Sequence, residues 1–263
     1  MAKTIAIANP SSGVGKTTTA GSAAMCLTQR GWKVLAVDLD HQASLTNWSG
    51  CKVDSKRSIA AALAGRCEPL EAIQDVGGVC LMPADETLAE VSFGSKRRPN
   101  ERGTLRGVLS KVEDSFDFIL IDTPPNLSQL TVNALVAADG VIVPTDTAHL
   151  SGKRYAALAD EINRMKKQEN PDICIIGVLL SRFDSRLNPS KIERQFSEGM
   201  GSVLPAAFFE SKVRLSTAVI ESQLGWCGLG EFFEKSSICA AKLDFENFIG
   251  ELLERIECLN SKE

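Results

Sequence analysis

Short apolar runs alternate with longer amphipathic stretches along the 263-residue chain. Runs that are rich in Ile, Val and Leu, apolar on both faces and too short for helices are typical of buried parallel strands. They predict strands at residues 4–8, 33–38, 79–82, 118–122, 140–144 and 173–180. Helical patterns lie between them, at 16–30, 104–112, 127–137, 151–167, 189–199 and 243–259. This alternation predicts an α/β fold: a doubly wound, mostly parallel twisted sheet with helices on both faces.

The chain is expected to form one domain over residues 1–263, because no repeat and no Pro- or Ser-rich linker divides it. The C-terminal helix, at about 243–259, alternates apolar with acidic residues and is expected to pack on the body. Two segments break the rhythm. Residues 94–103 form a basic, turn-rich stretch that predicts a solvated loop, and 208–233 is predicted to be irregular because it contains three close glycines.

Composition narrows the class of protein. With 44% hydrophobic and 24% charged residues the chain is typical of globular proteins. No apolar run reaches the length of a membrane span, and no signal peptide is recognised, so a cytoplasmic location is expected. The eight cysteines are scattered without a C-x-x-C pair and are interpreted as reduced thiols. A net charge of −4 gives no global attraction to nucleic acid, so any such site must be a local basic patch.

The most informative stretch joins the first strand to the first helix. It contains Ser12, Gly13, Val14 and Gly15, then Lys16, Thr17 and Thr18. Glycines let backbone N–H groups approach phosphate oxygens, a lysine supplies charge to the β- and γ-phosphates, and a threonine hydroxyl suits Mg²⁺. The helix N-terminus adds partial positive charge. Pro10 replaces the first glycine of the general pattern G-x-x-x-x-G-K-[ST], yet the loop predicts a triphosphate site.

Two further strands end in carboxylates. The run at 34–38 leads into Asp38 and Asp40, and the run at 118–122 ends at Asp122. Both strand ends are expected at the carboxyl edge of the sheet, where α/β sites form. Desolvated carboxylates repel one another unless a cation lies among them. A Mg²⁺ ion held by Thr17, the phosphates and, through water, Asp122 meets that need.

At these residues the sequence resembles the ParA/MinD family of deviant Walker ATPases over nearly its whole length. The stretches V-D-L-D-H-Q at 37–42 and I-D-T-P-P at 121–125 resemble the two motifs that follow the phosphate loop in members of this family. The stretches at 177–186 and 213–216 resemble ParA-type partition ATPases. The resemblance implies an ATPase with ATP and Mg²⁺ as ligands, slow without a partner. It implies that Asp40 positions water, with Asp38 near the metal, and that adenine lies near Ser181, Arg182 and Phe208. No N-K-x-D guanine motif is present.

One position departs from the family. Its signature lysine, which reaches across an ATP-sandwich dimer, falls at Ser11, as in the carboxysome-positioning branch, McdA. A replacement cation is therefore expected elsewhere. Lys153, or failing that Arg154, is the candidate, because the resemblance places that helix start at the dimer face; a solvated lysine is the equally open alternative.

The resemblance also implies a homodimer that binds DNA without sequence preference, associates with the nucleoid and distributes a large cargo, with carboxysomes expected. A ParB- or McdB-like adaptor would stimulate hydrolysis. Candidate DNA contacts are Arg214, Lys212, Lys191 and Arg194; a second basic group comprises Lys96, Arg97, Arg98, Arg102 and Arg106. Alternatives are a plasmid or chromosome partition ATPase, a P-loop ligase or kinase, and a MinD-like membrane cycler. The acidic C-terminal helix argues against membrane binding.

Overall fold

We describe the protein from a computed structural model. The structure describes residues 1–93, 104–147, 152–184, 186, 188, 190, 191, 194, 208–225, 228–235 and 239–260. Within these ranges eight strands form one sheet in the order β3-β4-β2-β5-β1-β6-β7-β8. The strands are β1 (Lys3–Ile7), β2 (Val34–Asp38), β3 (Gln74–Val76), β4 (Val79–Met82), β5 (Phe118–Asp122), β6 (Gly140–Thr145), β7 (Cys174–Phe183) and β8 (Phe208–Arg214).

Neighbouring strands in the sheet are parallel, except that β3 pairs with β4 in an antiparallel hairpin. Strands β1, β2 and β5 are central, and their apolar residues are buried on both faces of the sheet. β1 lies between β5 and β6, and later strands of the chain are added on both sides of it. At such a switch point the carboxyl ends of the strands border a crevice of the kind where α/β folds bind ligands. This confirms the predicted doubly wound α/β fold.

Helices cover both faces. They are α1 (Lys16–Gln29), α2 (Ser44–Ser49), α3 (Ile59–Leu63), α4 (Leu88–Phe93), α5 (Thr104–Leu109), α6 (Gln129–Ala137), α7 (Gly152–Gln168), α8 (Thr217–Gln223), α9 (Leu229–Lys235) and α10 (Ala240–Asn260). One apolar cluster joins α1, α9 and α10 to one face of the sheet, where Ile5 and Ile7 point. Two others join α3, α5, α6 and α7 to the opposite face, where Ala6 and Ala8 point. Alternate residues of β1 therefore contribute to the apolar core on each face of the sheet.

The C-terminal helix α10 packs along β8 and α1. Arg255 fixes it, because its guanidinium donates to the Ile176 carbonyl (3.0 Å) and the Phe208 carbonyl (2.6 Å) and lies 4.1 Å from the centre of the Phe209 ring. None of the helices in the described ranges is both long and apolar enough to cross a membrane.

Candidate functional site

The loop between β1 and α1 has the backbone shape that its glycines allow. Gly13 and Gly15 have φ of +72° and +89°, in the left-handed region where side chains are strained. A Cβ on Gly15 would also lie 2.8 Å from Ser181 Oγ, which is closer than such contacts occur. Gly15 is therefore required both for its conformation and for space, and it leads directly into the first turn of α1.

Lys16 lies at the base of this loop. Its side chain is buried, and Nζ donates to the Ser11 carbonyl at 2.7 Å. Burial lowers the pKa of Lys16, while the negative charges of Asp122 and Asp40 act in the opposite direction. The predicted phosphate-binding lysine and two predicted acidic residues therefore share one electrostatic environment. Ser11, at the position of the family's signature lysine, is itself fully buried.

Asp122 ends the central strand β5, paired with Ile7 on β1 and Asp38 on β2. It is fully buried, and neither carboxylate oxygen accepts a hydrogen bond of good geometry. Burial, and then the charge of Asp38, raise the pKa of Asp122 well above its usual range, against the opposing effects of Thr17 and Lys16. An isolated buried carboxylate is costly unless a ligand or cation satisfies it.

Asp38 is equally buried but fully bonded. Its Oδ2 accepts hydrogen bonds from the Thr46 amide (2.9 Å) and hydroxyl (2.7 Å), and its Oδ1 accepts one from the Asp40 amide (3.1 Å). Burial raises the pKa of Asp38 to about 6 in spite of these bonds. Asp38 thus ties the end of β2 to α2. The geometry gives it an organising position, and its predicted place beside the metal stays a prediction.

Asp40 is nearly buried and lines the cavity described below, with Oδ1 accepting from the Gln42 amide at 3.0 Å. The charges of Asp40 and Asp122 both act on the Lys16 ammonium, and Asp38 is paired in register with Asp122. This excess of negative charge, together with the unpaired oxygens of Asp122 and the Thr17 hydroxyl, fits a hard cation such as Mg²⁺.

The described residues contain no group of three or more His, Cys, Asp or Glu side chains arranged to hold a metal.

A cavity of about 670 Å³ opens above the loop. Its volume lies within the range of small-molecule sites, about 300–1,000 Å³. The loop, from Ser12 to Thr19, lines one side, and an apolar wall from β8 and α8 lines the other, with Val213, Leu215, Val219 and Ile220. Gln223, at the end of α8, lines it too and donates to the Thr18 hydroxyl at 2.9 Å. This wall is absent from the sequence-based predictions, because residues 208–233 were predicted to be irregular.

The end of β7 clamps the loop from above. The Ser181 hydroxyl donates to the Val14 carbonyl, and Arg182 Nη1 donates to the Gly13 carbonyl at 2.7 Å. Arg182 adopts φ of +51°, an uncommon conformation for a residue with a side chain, and it is exposed at the cavity rim. Both residues predicted near the nucleotide therefore reach the site.

Phe208 does not reach the cavity in the same way. The structure places it at the start of β8, half-buried against the apolar cluster that contains Val178, and outside the described cavity lining. Phe209 is core, since it is fully buried and packs edge-on against Phe248. Val213, Leu215, Val219 and Ile220 line the cavity instead, and the contact of Phe208 with adenine stays a prediction.

The candidate DNA contacts differ in their surroundings. Arg214 makes a bidentate ion pair with Asp244 (2.7 and 2.8 Å), which neutralises much of its charge. Lys212 donates to the Glu210 carbonyl, and Lys191 and Arg194 are exposed. Of the second basic group only Arg106 is described, and its guanidinium donates to the Val136 carbonyl. The side chains of Lys153 and Arg154, and the residues from Lys96 to Arg102, lie outside the described part of the chain.

Comparison with known proteins places these features in a family. The AAA domain family matches residues 2–175. The chain is 36% identical to the chromosome-partitioning ATPase Soj of Thermus thermophilus, over 81% of this chain and 83% of Soj. It is 31% identical to a ParA family protein of Chlamydia pneumoniae, over 95% of this chain and 97% of that protein.

Solved structures share the fold. Cobyrinic acid a,c-diamide synthase from Mycobacterium smegmatis, with bound ADP and magnesium, has a TM-score of 0.81 at 28% identity, over 98% of this chain and 96% of that chain. An ATP complex of a Cyanothece McdA variant has a TM-score of 0.81 at 24% identity, over 97% and 96%. The structural match of the second shows the fold alone. On the matched domain and relatives together, the chain belongs to the ParA/MinD family of deviant Walker ATPases.

Proposed function

We propose that this protein is a positioning ATPase that binds ATP with Mg²⁺, dimerises around the nucleotide and distributes a cargo over DNA. The observation that carries the nucleotide part is a buried lysine, Lys16, that feels the charge of Asp122, a fully buried carboxylate whose oxygens have no hydrogen-bond partner, next to a glycine loop. Membership of the ParA/MinD family and the names of its partition relatives support the positioning role.

In this proposal the loop holds the phosphates. Backbone N–H groups of the segment from Ser12 to Thr18, which leads into the N-terminus of α1, would bind the phosphates where the helix dipole favours an anion. The Lys16 ammonium exchanges its bond with the Ser11 carbonyl for phosphate oxygens. Bound Mg²⁺ would neutralise developing charge on those phosphates. The Thr17 hydroxyl and the Asp122 carboxylate would hold the ion, Asp122 through water.

Asp40 is proposed to orient the attacking water. Its carboxylate is near the Lys16 charge, and the Gln42 amide fixes one oxygen while the side chain faces the cavity. Asp38 organises this region by anchoring α2 through Thr46. Phosphoryl transfer depends mainly on positioning and charge stabilisation, so a site with such fixed groups needs only a correctly placed water. Turnover is proposed to be slow until an adaptor, ParB- or McdB-like, completes that arrangement.

Adenine is proposed to lie against the apolar wall formed by Val213, Leu215, Val219 and Ile220, below Ser181 and Arg182. In the dimer, Lys153 is proposed to contact the partner's phosphates in place of the signature lysine, since buried Ser11 cannot. DNA binding by the ATP-bound dimer is proposed to use Lys191, Arg194 and Lys212, with Arg214 contributing less because of Asp244. Carboxysomes are the proposed cargo, and a plasmid or chromosome is the alternative.

Two measurements test this function. Isothermal titration with Mg²⁺ and ATP should show binding that Lys16→Ala abolishes, and light scattering should show a dimer with ATP that Lys153→Ala converts to a monomer. Loss of binding in the parent protein would overturn the nucleotide site. Dimerisation of Lys153→Ala at parental affinity would overturn only the role of Lys153.

DNA binding needs its own experiment. The ATP-bound protein should retain a random-sequence duplex at about 50 mM salt, where phosphate contacts are strong, and lose it as salt rises. Lys191→Ala with Arg194→Ala should reduce the slope of log affinity against log salt by about one for each DNA phosphate that is no longer neutralised. Salt-independent retention, or none at low salt, contradicts this part.

A second candidate function is an ATP-dependent ligase, favoured by the structural match to cobyrinic acid a,c-diamide synthase at 28% identity. A ligase releases ADP only when its acid and amine substrates are present. ADP release that requires a small-molecule acid, with no retention of DNA, would favour the ligase, whereas DNA-dependent ATP turnover would favour the positioning ATPase.

A further inference from the structure

A buried hydrogen-bond network joins the phosphate loop to helix α7. It comprises Asn9 at the start of the loop, Pro144 and Thr145 at the end of β6, and Tyr155 in the first turn of α7. Asn9, Thr145 and Tyr155 are each at most 2% exposed. Tyr155 is the single tyrosine of the chain. Buried polar groups of this kind hold one geometry, because every unmade bond is costly.

The bonds of Asn9 fix its amide in one orientation. Nδ2 donates to the Pro144 carbonyl (2.5 Å) and to the Tyr155 hydroxyl (3.1 Å), and Oδ1 accepts from the Ser11 amide (2.8 Å). Turned over, Oδ1 would face the Pro144 carbonyl and Nδ2 would face the Ser11 N–H, so two attractions would become repulsions. The network itself therefore selects the amide orientation that aims Oδ1 at the loop.

Donor counting gives the network a direction. The Tyr155 oxygen accepts from Asn9, so its one hydrogen is available to Thr145 Oγ1, with which it is in close contact. The Thr145 hydroxyl in turn donates to the Asp146 carbonyl at 3.4 Å. Each donor in the series Asn9, Tyr155 and Thr145 then has an acceptor. The series ends at a backbone carbonyl, that of the residue directly after β6.

The other end of the network reaches the phosphate-binding lysine. Asn9 holds the Ser11 N–H, and the carbonyl of the same Ser11 accepts from Lys16 Nζ at 2.7 Å. The Tyr155 and Asn9 side chains and the backbone of Ser11 thus connect α7 to the ammonium that meets the phosphates in the proposed function.

We propose that Tyr155 is a positioning residue for the phosphate loop, acting through the Asn9 amide on Ser11 and Lys16. The ATP-binding part of this inference rests on the proposed function, whereas its effect on the loop does not. The network makes the position of the phosphate loop depend on the position of α7. The same helix also carries Lys153. Tyr155 does not touch the nucleotide itself.

The test variant is Tyr155→Phe, which keeps the ring and removes the hydroxyl. We expect the Kd for ATP with Mg²⁺ to rise about tenfold, the effect of one unmade buried hydrogen bond. Independently of nucleotide, hydrogen exchange at the Ser11 amide should become at least about fivefold faster, because its acceptor is no longer held.

Asn170→Ala is the matched control. Asn170 lies just beyond the other end of α7, roughly 20 Å away along the helix. It is buried, and its Nδ2 donates to the carbonyls of Leu135, Val136 and Ala138. Its loss should lower Tm at least as much as Tyr155→Phe but change the Kd for ATP and the Ser11 exchange rate less than twofold.

Parental Ser11 exchange in Tyr155→Phe, or equal effects of both variants on Ser11, would refute the positioning role. If the parent binds no ATP, the proposed function fails, yet the Ser11 exchange rates still decide this inference. Faster Ser11 exchange with an unchanged Kd in a parent that does bind ATP would also refute it, because the loop would then not set affinity.

Discussion

Replacing Asp122 by asparagine is predicted to stabilise the nucleotide-free protein while it removes a carboxylate of the proposed metal site. Asp122 is fully buried and both of its oxygens lack a hydrogen bond of good geometry, so its charged form is strongly disfavoured in the folded state. Its pKa is raised well above the ordinary range by burial and by Asp38. Asparagine has nearly the same shape and no charge to bury.

The magnitude and the sign follow from linkage. A carboxyl whose folded pKa is raised favours folding below the unfolded pKa, about 3.9, and this contribution is lost as pH rises through the folded pKa. A carboxyl that stayed protonated up to pH 7 would cost about 4 kcal/mol relative to the ionised unfolded chain, and this is the upper limit for Asp122 at that pH. The asparagine amide leaves polar atoms to satisfy, at about 1–3 kcal/mol. We therefore expect Asp122→Asn to gain about 2 kcal/mol at pH 7, or about 4–8 °C in Tm.

The assay is urea denaturation of nucleotide-free protein between pH 4 and pH 8, followed by tryptophan fluorescence. The parent should lose stability as pH rises from 4, and the advantage of Asp122→Asn should grow over the same window. Asp38, with a pKa of about 6, adds its own decline in both proteins. Because its charge acts on Asp122, the difference between variant and parent reports Asp122 together with this coupling. Asp114→Asn, at an exposed carboxylate, is the control and should change little. A variant less stable than the parent, or an advantage that does not depend on pH, would refute the reasoning.

Three further substitutions probe the site. Asp40→Ala should bind ATP with nearly parental affinity but hydrolyse it at least about a hundredfold more slowly in single-turnover assays, the scale of a missing catalytic group; undiminished turnover would exclude Asp40 as the water-positioning carboxylate. Gly15→Ala should abolish ATP binding in titration, because its φ is positive and a Cβ would be too close to Ser181. Gly31→Ala is the control, since Gly31 has a φ of +90° but open space around it, and should lower the free energy of unfolding in urea by only about 1 kcal/mol. Arg182→Ala and Arg182→Gly should weaken ATP binding equally, about three- to tenfold, with the glycine variant more stable by about 1 kcal/mol; equal stabilities would contradict strain at φ +51°.

The central strands could be predicted from the sequence because they are buried on both faces. The predicted ranges 79–82 and 118–122 coincide with β4 and β5, and the limits of β1, β2 and β6 differ by one residue. The edge strands β3 and β8 were missed for the opposite reason. In β8 the residues Glu210 and Lys212 interrupt the apolar pattern, because one side of an edge strand meets solvent. Its pairing with β7 depends on register shifts that no local pattern encodes.

The candidate site divides in the same way. Lys16, Asp40 and Asp122 could be found because each stands at a strand end or helix start, so the topology alone brings them to one edge. The contacts that support the site could not be predicted, because they join elements that lie far apart in the sequence or form only in the folded chain. Thr46 satisfies Asp38 only once α2 has formed, and Arg182 reaches the Gly13 carbonyl across 169 positions of sequence. The apolar cavity wall likewise requires β8 to be recognised as a strand.

Asp38 and Asp122 show how the fold assigns different tasks to similar residues. Both end neighbouring central strands, face each other in register and are fully buried. Asp38 accepts three hydrogen bonds, which offset part of the cost of its charge and hold α2 in place. Neither oxygen of Asp122 has such a partner, and the opposing effects of Thr17 and Lys16 do not offset its burial, so its ionised form opposes folding when no metal ion is bound. A sheet centre tolerates such a group because surrounding apolar packing supplies the stability that Asp122 removes. The unsatisfied carboxylate is thus better explained by ligand binding than by stability.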